Sequence, residues 1–137
     1  MLTEQALLLD TSGLFAYHSP AETDHEKARL LMRGKRKKII QSYVLAEFVA
    51  LTQARKLARP PVLLFLKSLL DHPLIEVIWV DEALHREAMI LLENRQDKGY
   101  SLCDAVSFVL MKQRGIVEAL TTDLHFEQEG FARLLKP

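Results

Sequence analysis

Cysteine is almost absent from this chain. Cys103 stands alone, so neither an intrachain disulfide nor a multi-cysteine zinc site can be built. A reducing compartment, the cytoplasm, is the expected setting. Charge of one sign is not in surplus either: 18 Lys and Arg balance 18 Asp and Glu. Charge alone therefore does not indicate a strongly cationic nucleic-acid binder. Long apolar runs are missing. The best candidates are broken by Asp10, Lys67 and Asp81, short of the ~20 residues of a membrane helix, and no membrane partner is expected. The stretch Met1 to Gln5 is acidic and lacks the basic region that opens a secretory leader. His18, His25, His72, His85 and His125 show no HxH or HExxH spacing, which argues against a zinc or other His-metal site. No glycine-rich phosphate loop of either common form is present.

What remains is an ordinary globular composition, 49% hydrophobic and 26% charged over 137 residues. That length suits one domain spanning residues 1–137 with its own core. Ala6 to Leu9 reads as a buried strand that ends in Asp10-Thr11-Ser12-Gly13, with a short helix from Leu14 to Tyr17. Asp24 opens a helix to about Met32, and Arg33 to Lys38 forms a polar connection into a second strand, Ile39 to Gln41. Ser42 is the expected cap of a helix from Tyr43 to Leu57. Pro60-Pro61 starts another, Val62 to Leu70. Val77 to Val80 reads as a strand with Trp79 in the core, and Asp81 caps a helix to about Arg95. Ser101 caps a helix to Arg114, stopped by Gly115. Ala119 to Thr122 and Phe131 to Leu135 complete the strands. Short apolar strands alternating with helices define an α/β fold, a mostly parallel sheet flanked by helices.

Open parallel sheets place their sites at the carboxyl ends of strands. Asp10 and Asp123 fall at two such ends. Glu47 and Asp104 lie on helices among apolar neighbours. Glu47 is expected to be buried in Val44-Leu45-Ala46-Glu47-Phe48-Val49-Ala50-Leu51, with no Lys or Arg four residues away, so a cation from elsewhere is needed to balance it. Four carboxylates without paired His or Cys ligands suit a hard divalent ion such as Mg²⁺ or Mn²⁺ and phosphodiester hydrolysis. Each acid also has a plain structural reading. Asp10 can cap the helix after it, Asp104 has capping-box spacing from Ser101, and Asp123 can start a turn. Cys103 reads as a small core residue.

The order Asp10-Thr11-Ser12, then Glu47 within an apolar helix, then Ser101-Leu102-Cys103-Asp104-Ala105, then Thr121-Thr122-Asp123-Leu124-His125-Phe126 resembles the signature of PIN-domain nucleases. The likeness runs over nearly the whole chain, whose size resembles that of VapC toxins of toxin–antitoxin pairs. The resemblance implies a catalytic pocket of Asp10, Glu47, Asp104 and Asp123 that binds Mg²⁺ or Mn²⁺. Asp10 and Asp104 are then direct ligands, and Glu47 and Asp123 hold metal-bound water or a second ion. Ser12 and Thr121 are supporting hydroxyls. It further implies RNA hydrolysis leaving a 5′-phosphate and a 3′-hydroxyl, a cognate antitoxin that lays a helix or tail against the pocket, and a homodimer for which Pro60 to Leu70 is a candidate surface.

Several rivals share Asp10. An aspartyl phosphotransferase of the haloacid-dehalogenase type wants a second Asp where Ser12 stands, and a receiver domain wants an acidic pair where leucines precede Asp10. A housekeeping nuclease of the same fold and a non-catalytic binding module stay open as alternatives. The five basic residues between Arg33 and Lys38 read as a solvated loop.

Overall fold

A computed structural model describes residues 5–137; the acidic opening Met1 to Glu4 lies outside the described residues. Five strands, β1 (Leu7–Leu9), β2 (Lys38–Gln41), β3 (Ile75–Ile78), β4 (Glu118–Leu120) and β5 (Ala132–Arg133), form one sheet in the order β3-β2-β1-β4-β5. Every pairing is parallel. The helices are α1 (Thr11–His18), α2 (His25–Met32), α3 (Ser42–Ala54), α4 (Arg59–Asp71), α5 (Glu82–Glu93), α6 (Leu102–Arg114) and α7 (Leu124–Gln128).

Parallel strands covered on both faces need apolar residues at every position, and β1 is Leu7-Leu8-Leu9, all fully buried. Successive side chains point to opposite faces. Leu7 and Leu9 pack with Leu14, Phe15, Val44 and Phe48, while Leu8 packs with Phe108, Met111 and Phe126 on the other face. The helices α1, α3 and α4 thus cover one face and α6 and α7 the other.

The register brings Leu9 beside Leu120. The chain leaves β1 toward β2 on one side and returns as β4 on the other, so the carboxyl ends of β1 and β4 flank the point where strand order reverses. Gly13 lets α1 press onto this seam: a Cβ there would stand 1.9 Å from the Leu120 carbonyl oxygen.

Several local expectations are corrected. Helix α1 begins at Thr11, not Leu14, because Leu14 N–H already donates to Asp10 O at 2.9 Å. Gln41 rather than Ser42 caps α3, its side-chain oxygen accepting from Tyr43 N–H at 2.7 Å; the Ser42 hydroxyl instead accepts from Val80 N–H. Strand β3 is shifted to Ile75–Ile78, and Trp79, expected in the core, is 66% exposed just beyond it. The basic connection is not uniformly solvated. Lys38 opens β2 and is buried, Arg36 binds Glu118 and the Gln5 carbonyl, and Lys37 pairs with Glu76. These residues belong to the amino end of the sheet, opposite Asp10. Among the described residues no helix is long and apolar enough to cross a membrane.

Candidate active site

Asp10 follows directly on β1 in extended conformation and occupies the cap position of α1, yet its carboxylate makes no capping hydrogen bond. It turns toward β4 instead, where the buried Thr121 hydroxyl donates to Oδ2 at 2.7 Å. Ser12 Oγ lies 3.4 Å from the same oxygen and 3.1 Å from Thr121 Oγ1. The two hydroxyls also accept backbone donors from the β4 exit, Thr122 N–H to Ser12 and Asp123 N–H to Thr121, both at 3.0 Å. Ser12 and Thr121 therefore clasp the ends of β1 and β4 and fix the Asp10 rotamer.

Asp104 comes from the first turn of α6. The capping box is present: Ser101 Oγ accepts from Asp104 N–H at 3.0 Å, and Asp104 Oδ2 accepts from Ser101 N–H at 3.2 Å. The cap reading holds, and the bond that closes the helix end also fixes the direction of the carboxylate. Asp123 likewise starts α7, accepting from His125 N–H at 2.9 Å.

That turn brings in a residue that motif spacing had set aside. His125 Nδ1 lies 3.2 Å from Asp104 Oδ2 and 3.4 Å from Asp123 Oδ1. A carboxylate can only accept, so Nδ1 carries the proton and the imidazole bridges the two acids. Its ring stands edge-on to Tyr100 at 5.2 Å. Tyr100 is itself held by Glu129, to which Arg95 and Lys112 also bind. Burial works against the Glu129 charge, but those three partners outweigh it and hold its carboxyl below the ordinary range. The signal for His125 was its position two residues after Asp123, on the same helical turn.

Glu47 is exposed, not buried, so the burial argument for a compensating cation fails at this residue. Its charge still reaches the others: burial pushes Asp10 up to about 7, the Thr121 bond opposes this, and the negative charges of Asp104 and Glu47 raise it further. Cys103 lies between the acids and the core. Burial and the charges of Glu47 and Asp10 raise its thiol well above the ordinary value, which keeps it protonated and unreactive. Beneath it, Gln41 donates to Cys103 O and Ser107 Oγ, both at 3.1 Å, tying β2 to α6.

The structure thus collects Asp10, Asp104 and Asp123 with Ser12 and Thr121 at the carboxyl end of the sheet, with Glu47 at electrostatic range. Among the described residues no Lys or Arg forms an ion pair with these acids; their sole ion-pair partner is His125. Ligand atoms of Asp104, Asp123 and His125 lie within 4.8 Å of one another, close enough to share one ion where the ion displaces the imidazole proton. Mutually repelling carboxylates without a fixed cation, dominated by oxygen donors, fit a hard divalent metal.

A parallel sheet with an acid cluster at its strand-order reversal is an α/β protein with its site where such sheets place theirs. The family follows from the sequence itself: residues 7–131 match the model of the PIN domain, and the chain belongs to that family. It is similar to a VapC ribonuclease of Archaeoglobus fulgidus, 25% identical over 114 residues, covering 79% of this chain and 71% of that protein. Among solved structures it is similar to VapC20 of Mycobacterium tuberculosis, a sarcin-ricin loop cleaving toxin, with TM-score 0.84, 24% identity and coverage of 96% of this chain and 99% of that one. FitAcB from Neisseria gonorrhoeae matches with TM-score 0.62 and 20% identity, over 93% and 95% of the two chains.

Proposed function

We propose that residues 1–137 act as one endoribonuclease domain, the toxin of a toxin–antitoxin pair, dependent on Mg²⁺ or Mn²⁺. The observation that carries this reading is the group of Asp104, Asp123 and His125 close enough to share one ion, with the buried Asp10 within electrostatic range of Asp104 and no Lys or Arg ion pair on these acids among the described residues. The similarity to a VapC ribonuclease supports RNA as the substrate. A cytoplasmic setting, a cognate antitoxin and a homodimer belong to the same reading.

In this reading Asp10 and Asp104 hold the ion directly, and Glu47 and Asp123 hold it through water. The ion, when bound, offsets charge on the phosphodiester and makes a nucleophile of water at neutral pH. Thr121 and Ser12 keep Asp10 in position. His125 fixes Asp104 and Asp123 relative to each other, so both are oriented before RNA arrives. Glu47, exposed and within electrostatic range of Asp10, is available to hold metal-bound water.

The test is cleavage of RNA by the partner-free protein in Mg²⁺, Mn²⁺ or EDTA, alongside Asp10→Asn. Cutting should require metal and fall by at least roughly 100-fold in Asp10→Asn, with the melting curve intact. Folded, metal-loaded protein that cuts no RNA refutes the reading and favours a non-catalytic binding module.

A further inference from the structure

A recess of about 530 Å³ lies away from the acid cluster, between α1, α2 and α4. Its floor includes Lys38 and Ile75, the first residues of β2 and β3, so it opens at the amino end of the sheet. Asp10 lies beyond the opposite end, and α1, whose eight residues rise about 12 Å, leads from Asp10 to His18 on the recess wall. The two sites are separate.

The lining is chemically one-sided. Arg29, Arg33, His18, His25 and His72 line it, and no Asp or Glu does among the described residues, in a chain whose charges balance. Arg29 is paired with Glu26 on the surface, 41% and 64% exposed, a contact that solvent weakens and an incoming anion can replace. Arg33 ends α2, where its side chain is exposed. The neutral His72 ring carries its proton on Nε2, because Leu74 N–H donates to Nδ1 at 3.0 Å. His25 has the opposite tautomer, since its Nδ1 lies 2.8 Å from the Ala16 carbonyl and must donate. Burial lowers the pKa of His18, which serves as a neutral ring 4.9 Å from Phe65. Phe65 and Tyr17 complete an aromatic wall.

We propose that this recess binds a phosphate-bearing ligand of nucleotide size, its phosphate on Arg29, Arg33 and His72 and its ring against Phe65 and Tyr17. The volume falls within the range of small-ligand sites. Guanidinium forks match phosphate geometry. Several convergent donors suit a dianion with three terminal oxygens better than a carboxylate with two. A recess of this volume suits a compact ligand better than an extended acidic peptide. The phosphate belongs either to a free nucleotide or to the 5′ end of an RNA chain. The proposal does not depend on the nuclease reading.

The experiment is calorimetric titration of the full chain as Asp10→Asn, in EDTA, with inorganic phosphate, AMP, and 5′-phosphorylated and 5′-hydroxyl forms of one short RNA. Phosphate and AMP should bind, AMP more tightly. Arg33→Gln and His72→Asn should each weaken AMP by roughly ten-fold without lowering Tm; the Asn side chain retains an acceptor for Leu74 N–H. Preference for the 5′-phosphorylated over the 5′-hydroxyl RNA assigns the site to an RNA end, and binding of AMP alone assigns it to free nucleotide. Lack of binding by all four probes overturns the proposal, as does AMP affinity unchanged in both variants. Binding of a glutamate-rich peptide in preference to AMP overturns it in favour of a peptide groove.

Discussion

Asp10 is 4% exposed, has no Lys or Arg partner among the described residues, and faces two other carboxylates. Burial is the largest reason its carboxyl is pushed up to about 7, and the charges of Asp104 and Glu47 add to it. A carboxyl whose folded pKa lies above its unfolded value of 3.8 binds protons more tightly in the native state. Its effect on stability is therefore nil below about pH 4 and becomes unfavourable as pH rises toward 7 and beyond. The limit is roughly 4 kcal/mol at pH 8. In EDTA, the melting temperature of the wild type should fall between pH 5 and pH 8 relative to Asp10→Asn, and divalent metal at pH 8 should restore it. Parallel melting curves for the two proteins across that range would sink this account. Among the site residues, Asp10, Asp104 and Asp123 were readable as strand-end or helix-start acids. The exposure of Glu47 was not readable, because seven apolar neighbours in sequence say nothing about which side of a helix faces solvent.

At the scale of elements, the seam between α1 and β4 carries the site. Gly13 is buried there, and its missing side chain lets the first turn of α1 approach the Leu120 carbonyl. The same approach puts Ser12 within 3.1 Å of Thr121. Gly13→Ala would place a carbon against backbone that cannot rotate away, so the seam must open. The expected cost is about 3 kcal/mol or more, visible as a lowered urea midpoint. Cleavage should fall further than stability does, since Asp10 loses its Thr121 contact. Unchanged midpoint and activity would show that the seam is more tolerant than its geometry implies. The capping box at Ser101 and Asp104 was legible from spacing alone, whereas the Gln41 cap was not: Ser42 had the better residue type, but the backbone of Val80 claims its hydroxyl.

For the whole molecule, zero net charge conceals an uneven layout. Acids gather at the carboxyl end of the sheet, and the Arg33 to Lys38 run lies at the amino end, partly bound to Glu118 and Glu76. Helix α4 carries three exposed large apolar side chains, Leu64 at 70% and Leu63 and Leu70 each at 44%. Such a surface is the candidate for self-association. If the protein is a dimer through α4, Leu64→Glu should halve its mass by light scattering and leave the monomer folded. A dimer that survives the substitution places the interface elsewhere.

The amino-acid sequence by itself determined the α/β alternation, the approximate strands and helices, and the order of the acids along the chain. Those features depend on local periodicity and capping chemistry, which act over a few residues. Tertiary structure alone decided which side chains meet. His125 joined the acids because α7 turns back over the start of α6, and Trp79 lost its place in the core because β3 ends at Ile78, just before it. Asp10 acquired its raised pKa because the fold buries the end of β1 and packs α6 and α3 around it, bringing Asp104 and Glu47 within electrostatic range. Distances between residues a hundred positions apart follow from strand order and register, and no local pattern encodes them.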